Sequence, residues 1–346
     1  MKLLVSAVDH SANIHLKRLH GEFREDIELM GIFEKGLGNP HIDLSALAVM
    51  GFVDALKRLP FFLELSRRMT EMAKEADKVL LIDGSGFNLP LAQKIKQRNP
   101  GKEIIYYILP QAWAWKRRRI RVLERTIDTL ASILPFEPGL YSKGAPITYV
   151  GHPLLDEIPR VKHRLTHTGK IAFMPGSRAA EIRRLMPVYK SLRARLNCEA
   201  VLVIPPNFTR DAVSQLYGDL SGFIPVHQAH DTLYDCDFAF VCSGTATLEA
   251  ALIGTPLVLS YIARPLDFII ASRLVKLKMI GLANILFDQY RGDRLHPELI
   301  QDDVSVENLI AAYRELDREA FLEKAKQLRT YLGQGSARRV ARLIEA

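Results

Sequence analysis

Short, almost uninterrupted apolar runs recur along this chain, and amphipathic stretches with a helical period separate them. The pattern predicts strands over Leu3–Val8, Lys78–Asp83, Glu103–Leu109, Leu130–Leu134, Ile171–Met174, Ala200–Ile204, Phe238–Cys242 and Leu257–Tyr261. Helical periodicity marks Leu89–Arg98, Ile120–Asp128, Ala180–Leu196 and Ala246–Ile253. Strands apolar on both faces and separated by helices imply parallel sheets covered on each side. Right-handed crossovers then give doubly wound, Rossmann-like layers, an α/β fold. The polar, weakly periodic stretch 151–169, opened by Gly-His-Pro, reads as a linker between halves 1–150 and 170–325. From Glu315 onward the helical pattern returns, broken at Gly333–Gly335, and 326–346 is expected to pack back toward the first half.

A chain of 346 residues suits two domains, each large enough to bury a core. No apolar run approaches the ~20 residues that span a bilayer, and Met1–Val8 is too short for a signal-peptide core. Cys198, Cys236 and Cys242 are odd in number, lack metal-ligand spacing and sit in apolar runs, so reduced core thiols and a cytoplasmic setting are expected. The net charge of +8 favours an anionic partner: nucleic acid, acidic headgroup or phosphorylated substrate. Its densest cluster, Lys116–Arg119 with Arg121, follows Trp113-Ala114-Trp115. That combination suits base stacking, a lipid interface, or a plain solvated helix start.

Ligands of open parallel sheets bind beyond the carboxyl ends of the strands. Four unusual turns occupy such places: Asp83–Asn88, Pro110–Trp115, Pro175–Arg178 and Ser243–Thr245. Two come from each half, so a ligand site in the cleft between halves is expected. Ser243-Gly244-Thr245 begins a helix, whose unpaired amides and partial positive charge suit phosphate; Glu249, one turn in, suits a ribose diol. The same residues are also ordinary N-cap chemistry.

The ordered set of motifs resembles lipid-A-disaccharide synthase, a two-Rossmann-domain glycosyltransferase family of the GT-B type. The resemblance rests on Leu47–Val53, Ile82-Asp83 with Phe87-Asn88, Ala112–Trp115, Leu134–Glu137, and Val150–Pro153 with Asp156. It continues through Met174–Arg178 with Glu181, Ser243–Glu249, and Asn284 followed by Pro297–Leu299 and Gln301. The family implies inverting, metal-independent transfer of 2,3-diacylglucosamine from its UDP derivative to 2,3-diacylglucosamine 1-phosphate (lipid X). It implies no cofactor, and work at the anionic inner face of the cytoplasmic membrane.

Carried onto this chain, the resemblance makes Asp83 the base, with Asp9 and His10 as fallbacks. Gly176, Ser177, Arg178, Ser243, Gly244, Thr245, Ala246, Glu249 and Asn284 would bind the donor. Ser11, Asn88, Trp113, Trp115 and His152 would line the acceptor side or the cleft. Plain readings stand beside these: Asp83 as a helix cap, Arg178 paired with Glu181 or Glu249, and both Trp rings as core.

Two departures stand out. The family's G-E-x-S-G-D reads Val8-Asp9-His10-Ser11-Ala12-Asn13 here, and the second acid of its D-x-P-D-F-N is Gly86. A glycine-tight first turn is therefore not assured. Amphipathic basic stretches 53–74 and 265–280 suit peripheral membrane contact, or equally a core-facing helix with a wet face. The competing readings are another GT-B UDP-sugar enzyme such as a UDP-sugar 2-epimerase, a nucleic-acid binder using Lys116–Arg121, and an inactive nucleotide or lipid binder.

Overall fold

The computed structural model describes residues 1–43, 59–115, 117–206, 208–264 and 279–346. The Leu47–Val53 motif, Lys116, most of the 265–280 stretch and the side chain of Trp115 lie outside the described residues. The chain forms two compact units, Met1–Asp156 with Leu332–Ala346, and Glu157–Tyr331.

The first unit holds β1 (Lys2–Ala7), β2 (Glu28–Phe33), β3 (Ile42–Asp43), β4 (Lys78–Ile82), β5 (Glu103–Tyr107), β6 (Thr129–Ser132) and β7 (Ile147–Tyr149). They make one parallel sheet in the order β3-β2-β1-β4-β5-β6-β7. Alternation along each strand feeds two cores. Leu3, Val5, Leu80 and Ile82 pack on one face with Ala12, Leu16 and Leu19, while Leu4, Val79 and Leu81 pack on the other with Leu65 and Met69. Both faces are thus dry, which is why these strands read as continuous apolar runs.

The carboxy-terminal helix Ser336–Glu345 belongs to this unit. Val340, Ala341 and Ile344 join the same core as Leu3 and Val5. Its start is fixed by Asp156, whose carboxylate accepts from the Gly335 amide at 2.7 Å and the Ala337 amide at 3.2 Å. The Ser336 and Tyr107 hydroxyls meet at 2.8 Å in the interior.

The second unit holds β8 (Lys170–Met174), β9 (Glu199–Val203), β10 (Phe223–Val226), β11 (Phe238–Cys242), β12 (Leu257–Tyr261) and β13 (Glu298–Ile300). Its parallel sheet runs β10-β9-β8-β11-β12-β13. Aromatic rings dominate the core: Phe173, Phe238 and Phe240 with Tyr189 and Tyr313.

The strand order in each sheet places one switch point, where successive crossovers leave in opposite directions. In the first unit it lies between β1 and β4, with Ala7 beside Ile82. In the second it lies between β8 and β11, with Met174 beside Val241. Crevices at such points are where doubly wound sheets bind ligands.

Candidate functional site

At the β1/β4 switch point two strand ends turn side by side. After β4 the chain takes two successive left-handed residues, Asp83 at φ 47° and Gly84 at φ 54°. A side chain at position 84 would place its Cβ 2.3 Å from Val8 Cγ2, so only glycine fits. A non-glycine residue in this region costs ~1–3 kcal/mol and persists only when its surroundings hold it. Here they do. The Asp83 amide donates to the Tyr107 carbonyl at 3.0 Å, and the Asp83 carbonyl accepts from Asn88 Nδ2 and the Tyr106 hydroxyl, each at 2.8 Å.

Asn88 is fully buried; its Oδ1 accepts from the Ser6 hydroxyl at 2.6 Å, and its Nδ2 also donates to the Ile82 carbonyl at 3.1 Å. It builds the turn from beneath and has no polar atom open to an acceptor substrate.

The consequence for Asp83 is chemical. The helix Ser85–Arg98 starts from Gly84 with no side-chain cap, so Asp83 does not serve as its N-cap. Among the described residues the carboxylate accepts one hydrogen bond, from the Gly84 amide at 2.8 Å. Partial burial raises its pKa above the usual aspartate value and the Asp9 charge adds to this; the Gly84 amide and His15 oppose it. The result is a carboxylate more basic than an exposed aspartate.

The departing motif after β1 folds without glycine. Asp9 is extended, at φ −142° and ψ 169°, and caps helix His10–His20 by accepting from the Ala12 amide at 2.8 Å. Asn13 donates to the Ala7 carbonyl at 3.0 Å and the Asp9 carbonyl at 2.8 Å, and accepts from the Glu34 amide at 2.8 Å. A carboxylate at position 13 could not donate, so the amide is what lets this turn close. His10 is 79% exposed and pairs with Glu34 at 3.0 Å. The Ser11 hydroxyl lies 3.4 Å from His15 Nε2.

Two further expected residues of this unit differ in exposure, His152 being buried and Trp113 half-buried. His152 is buried, its Nδ1 accepts from the Leu154 amide at 3.3 Å, and its own amide donates to the Gly333 carbonyl. Burial, then the charge of His15, pushes its pKa down to about 3, so the ring is neutral. Trp113 packs edge-on against Phe136, with centroids 5.4 Å apart.

One residue carried no role in the sequence reading. Glu137 is 2% exposed, accepts from the Ser132 hydroxyl, and burial pushes its pKa up to about 7. An acid directly after the strand-end run Leu134-Pro135-Phe136 was the available signal.

At the β8/β11 switch point the groups face outward. Gly176 has φ 101°, and a Cβ there would sit 2.6 Å from Glu181 Oε2 and 3.2 Å from Cys242 Sγ. Arg178 stands at the N-cap position of helix Ala179–Arg195 without capping it. Its Nη1 donates to Glu181 Oε1 at 2.9 Å, yet the guanidinium side is 80% exposed while Glu181 is 8% exposed. The buried acid thus orients an arginine whose other donors have no hydrogen-bond partner among the described residues.

After β11, Gly244 and Thr245 are exposed at the start of helix Thr245–Ile253, whose first amides have no intrahelical partner. The Thr247 hydroxyl is spent on the Gly244 carbonyl at 2.9 Å, and Ser243 Oγ donates to the Ile280 carbonyl at 3.4 Å. Glu249 is largely buried, 3.7 Å from His230 Nε2. Burial raises its pKa, with His230 opposing.

Asn284 requires a correction. It is fully buried, donates to the His296 carbonyl at 2.9 Å and Glu298 Oε1 at 2.8 Å, and accepts from the Leu295 and His296 amides at 2.8 and 3.0 Å. All of its hydrogen-bonding capacity is used within the protein. It fixes the 295–298 segment and has nothing left for a nucleotide.

Among the described residues no three His, Cys, Asp or Glu side chains are grouped to hold a metal ion, and no helix is long and apolar enough to cross a membrane. The helix Leu59–Met72 nevertheless exposes Phe61, Phe62 and Leu63, at 37%, 36% and 52%.

Comparison with known proteins places this geometry in context. Residues 3–342 match the family model described as lipid-A-disaccharide synthetase. A lipid-A-disaccharide synthase of Helicobacter pylori strain G27 is 47% identical, over 98% of this chain and 96% of that protein. One from Campylobacter jejuni strain RM1221 is 42% identical, over 99% and 98%. Among solved structures, a UDP-GlcNAc 2-epimerase from Neisseria meningitidis bound to UDP-GlcNAc superposes with a TM-score of 0.63 at 12% identity, covering all of both chains. The calicheamicin glycosyltransferase CalG4 gives 0.62 at 13%, over 99% and 97%. At such identities these two establish the fold alone: paired Rossmann-like domains of the GT-B kind.

Proposed function

This chain belongs to the lipid-A-disaccharide synthetase family, and from that premise we propose how its residues divide the work of the reaction. The enzyme transfers 2,3-diacylglucosamine from UDP-2,3-diacylglucosamine to 2,3-diacylglucosamine 1-phosphate. The products are the β-1′,6-linked disaccharide 1-phosphate of lipid A biosynthesis and UDP.

Asp83 is the general base. As the acceptor 6-hydroxyl oxygen attacks the anomeric carbon, its proton passes to the Asp83 carboxylate, the bond from that carbon to the diphosphate breaks, and UDP leaves with the electron pair. The reading rests above all on one observation: a partly buried carboxylate, held on a left-handed turn, accepts a single hydrogen bond among the described residues and caps no helix. A basic, under-committed carboxylate is what proton removal requires.

The leaving diphosphate is assigned to Arg178 and the amides of Gly244, Thr245 and Ala246, with Gly176 and Ser177 keeping the approach open. Ser243 shapes the same turn, and Glu249 is assigned to the ribose. Asp9 tunes Asp83 by its charge and caps the neighbouring helix. His10 and Ser11 lie at the rim, and Trp113 and Trp115 are assigned to the acceptor wall. Asn88, His152 and Asn284 are positioning residues.

We assign the site of action to the anionic inner face of the cytoplasmic membrane, by peripheral contact. The acylated substrates, the net charge of +8 and the exposed Phe61-Phe62-Leu63 beside Arg67 and Arg68 support this. The direct test is UDP release from UDP-2,3-diacylglucosamine with and without lipid X, in mild detergent. Release that depends on lipid X supports the assignment; release without disaccharide formation contradicts it.

A further inference from the structure

The first unit carries a second polar pocket made by none of the residues assigned above. Helix Ser336–Glu345 presents Arg338, Arg339 and Arg342, helix His10–His20 presents Arg18, and Glu22 and Asp156 complete an open cavity of about 610 Å³. That volume lies within the usual range for small-molecule sites.

The charges in this pocket do not cancel. Both Asp156 oxygens are taken by the Gly335 and Ala337 amides that start the helix. Glu22 pairs with Arg338 at 3.2 Å. Arg339 Nη1 donates to the Val150 carbonyl at 2.7 Å, so that guanidinium is fixed as a wall. Arg18 and Arg342 have no ion-pair or side-chain hydrogen-bond partner among the described residues, and both are exposed.

Two fixed and two free guanidiniums around one cavity make a poor seat for an acyl chain or a neutral sugar. They match an anion with several oxygens in fixed geometry, because each guanidinium presents paired donors.

We propose that this pocket binds a phosphate-bearing anion, with Arg18 and Arg342 gripping it and Arg338 and Arg339 forming its walls. An occupant joins helix His10–His20 to the returning carboxy-terminal helix and stabilises the seam between them. Two sources share this chemistry, a soluble pyrophosphate-type ligand and a phosphate of a lipid headgroup.

The test uses the full chain carrying Arg178→Ala, so that pyrophosphate at the donor edge is not what is read. Hydrogen exchange of 334–342 is followed with inorganic pyrophosphate, and separately with phosphatidylglycerol vesicles, at low and high salt. Protection by pyrophosphate should weaken roughly tenfold in affinity on adding Arg18→Glu with Arg342→Glu, and fade with salt. Arg18→Lys with Arg342→Lys should fall between wild type and the double charge reversal, since the charges remain but the paired donors are lost. The single charge reversals give the same readout if the double variant unfolds.

Protection by pyrophosphate alone identifies a soluble ligand, and protection by vesicles alone identifies a headgroup. No protection by either, or equal protection in charge-reversed protein with an unchanged melting curve, would overturn the proposal.

Discussion

At the β1/β4 switch point the chain uses buried hydrogen bonds to hold Asp83 in a left-handed turn, partly removed from water and more basic than an exposed aspartate. At the β8/β11 switch point it does the reverse. There an exposed arginine, steered by the buried Glu181, stands with exposed helix-start residues on the same sheet edge. The same topological rule locates both places, and the electrostatics separates them. Removing a proton needs a carboxylate whose negative charge is costly, hence burial and a like-charged neighbour. Holding a diphosphate needs donors that lose little water before the ligand arrives, hence exposure.

Four substitutions test this contrast. Asp83→Asn should lower turnover by ~10³-fold, the scale of a lost general base, while UDP affinity stays unchanged. UDP-release assays and a UDP titration on the same preparation read both.

Glu137→Gln tests whether costly buried acids mark the first edge more widely. The Glu137 pKa rises from 4.5 to about 7, so its stabilising contribution is fully present below about pH 4.5 and lost as pH rises through 7. The glutamine variant should escape that loss, worth about 3 kcal/mol at alkaline pH. Melting temperature against pH would then fall less steeply than in wild type. Parallel curves would remove Glu137 from the account.

Arg178→Ala should weaken UDP-donor binding by ~10–100-fold, the scale of charge-assisted hydrogen bonds lost from a partly exposed site. Its effect should appear mainly in KM, whereas that of Asp83→Asn appears in kcat. Asp9→Asn is the mildest and most selective change. Asparagine caps helices as well as aspartate, so stability should hold. Removing the Asp9 charge should lower the Asp83 pKa and move the acid limb of kcat/KM to lower pH. An unmoved limb would mean that the titrating base is not Asp83.

Much of the scaffold was legible in the chain. Phe238–Cys242 and Leu257–Tyr261 form strands over the ranges their apolar runs marked, because both are central and dry on both faces. Apart from the interior β2, whose run is interrupted by Gly31, the strands that were not legible are β3, β7, β10 and β13. They are edge strands of two to four residues, and β10 contains Pro225, which an edge tolerates and a sequence pattern reads as a break.

The site was legible as turns but not as side-chain commitments. Asn88 and Asn284 look like ligand contacts in a motif; in the fold their amides are used within the protein, Asn88 by Ser6, Ile82 and Asp83, and Asn284 by Leu295, His296 and Glu298. Nothing local distinguishes an amide that serves the protein from one that serves a ligand. The glycine-free first turn was likewise opaque, because it closes through the Asn13 side chain and a Glu34 amide 21 residues away.

The division of labour proposed for the two edges separates proton removal from diphosphate binding. The most direct test measures UDP affinity and lipid X-dependent UDP release in parallel for Asp83→Asn and Arg178→Ala. Asp83→Asn should bind UDP like wild type and release almost none from the donor, while Arg178→Ala should bind UDP poorly and regain turnover as donor concentration rises. Wild-type turnover in Asp83→Asn, or undiminished UDP affinity in Arg178→Ala, would contradict that division.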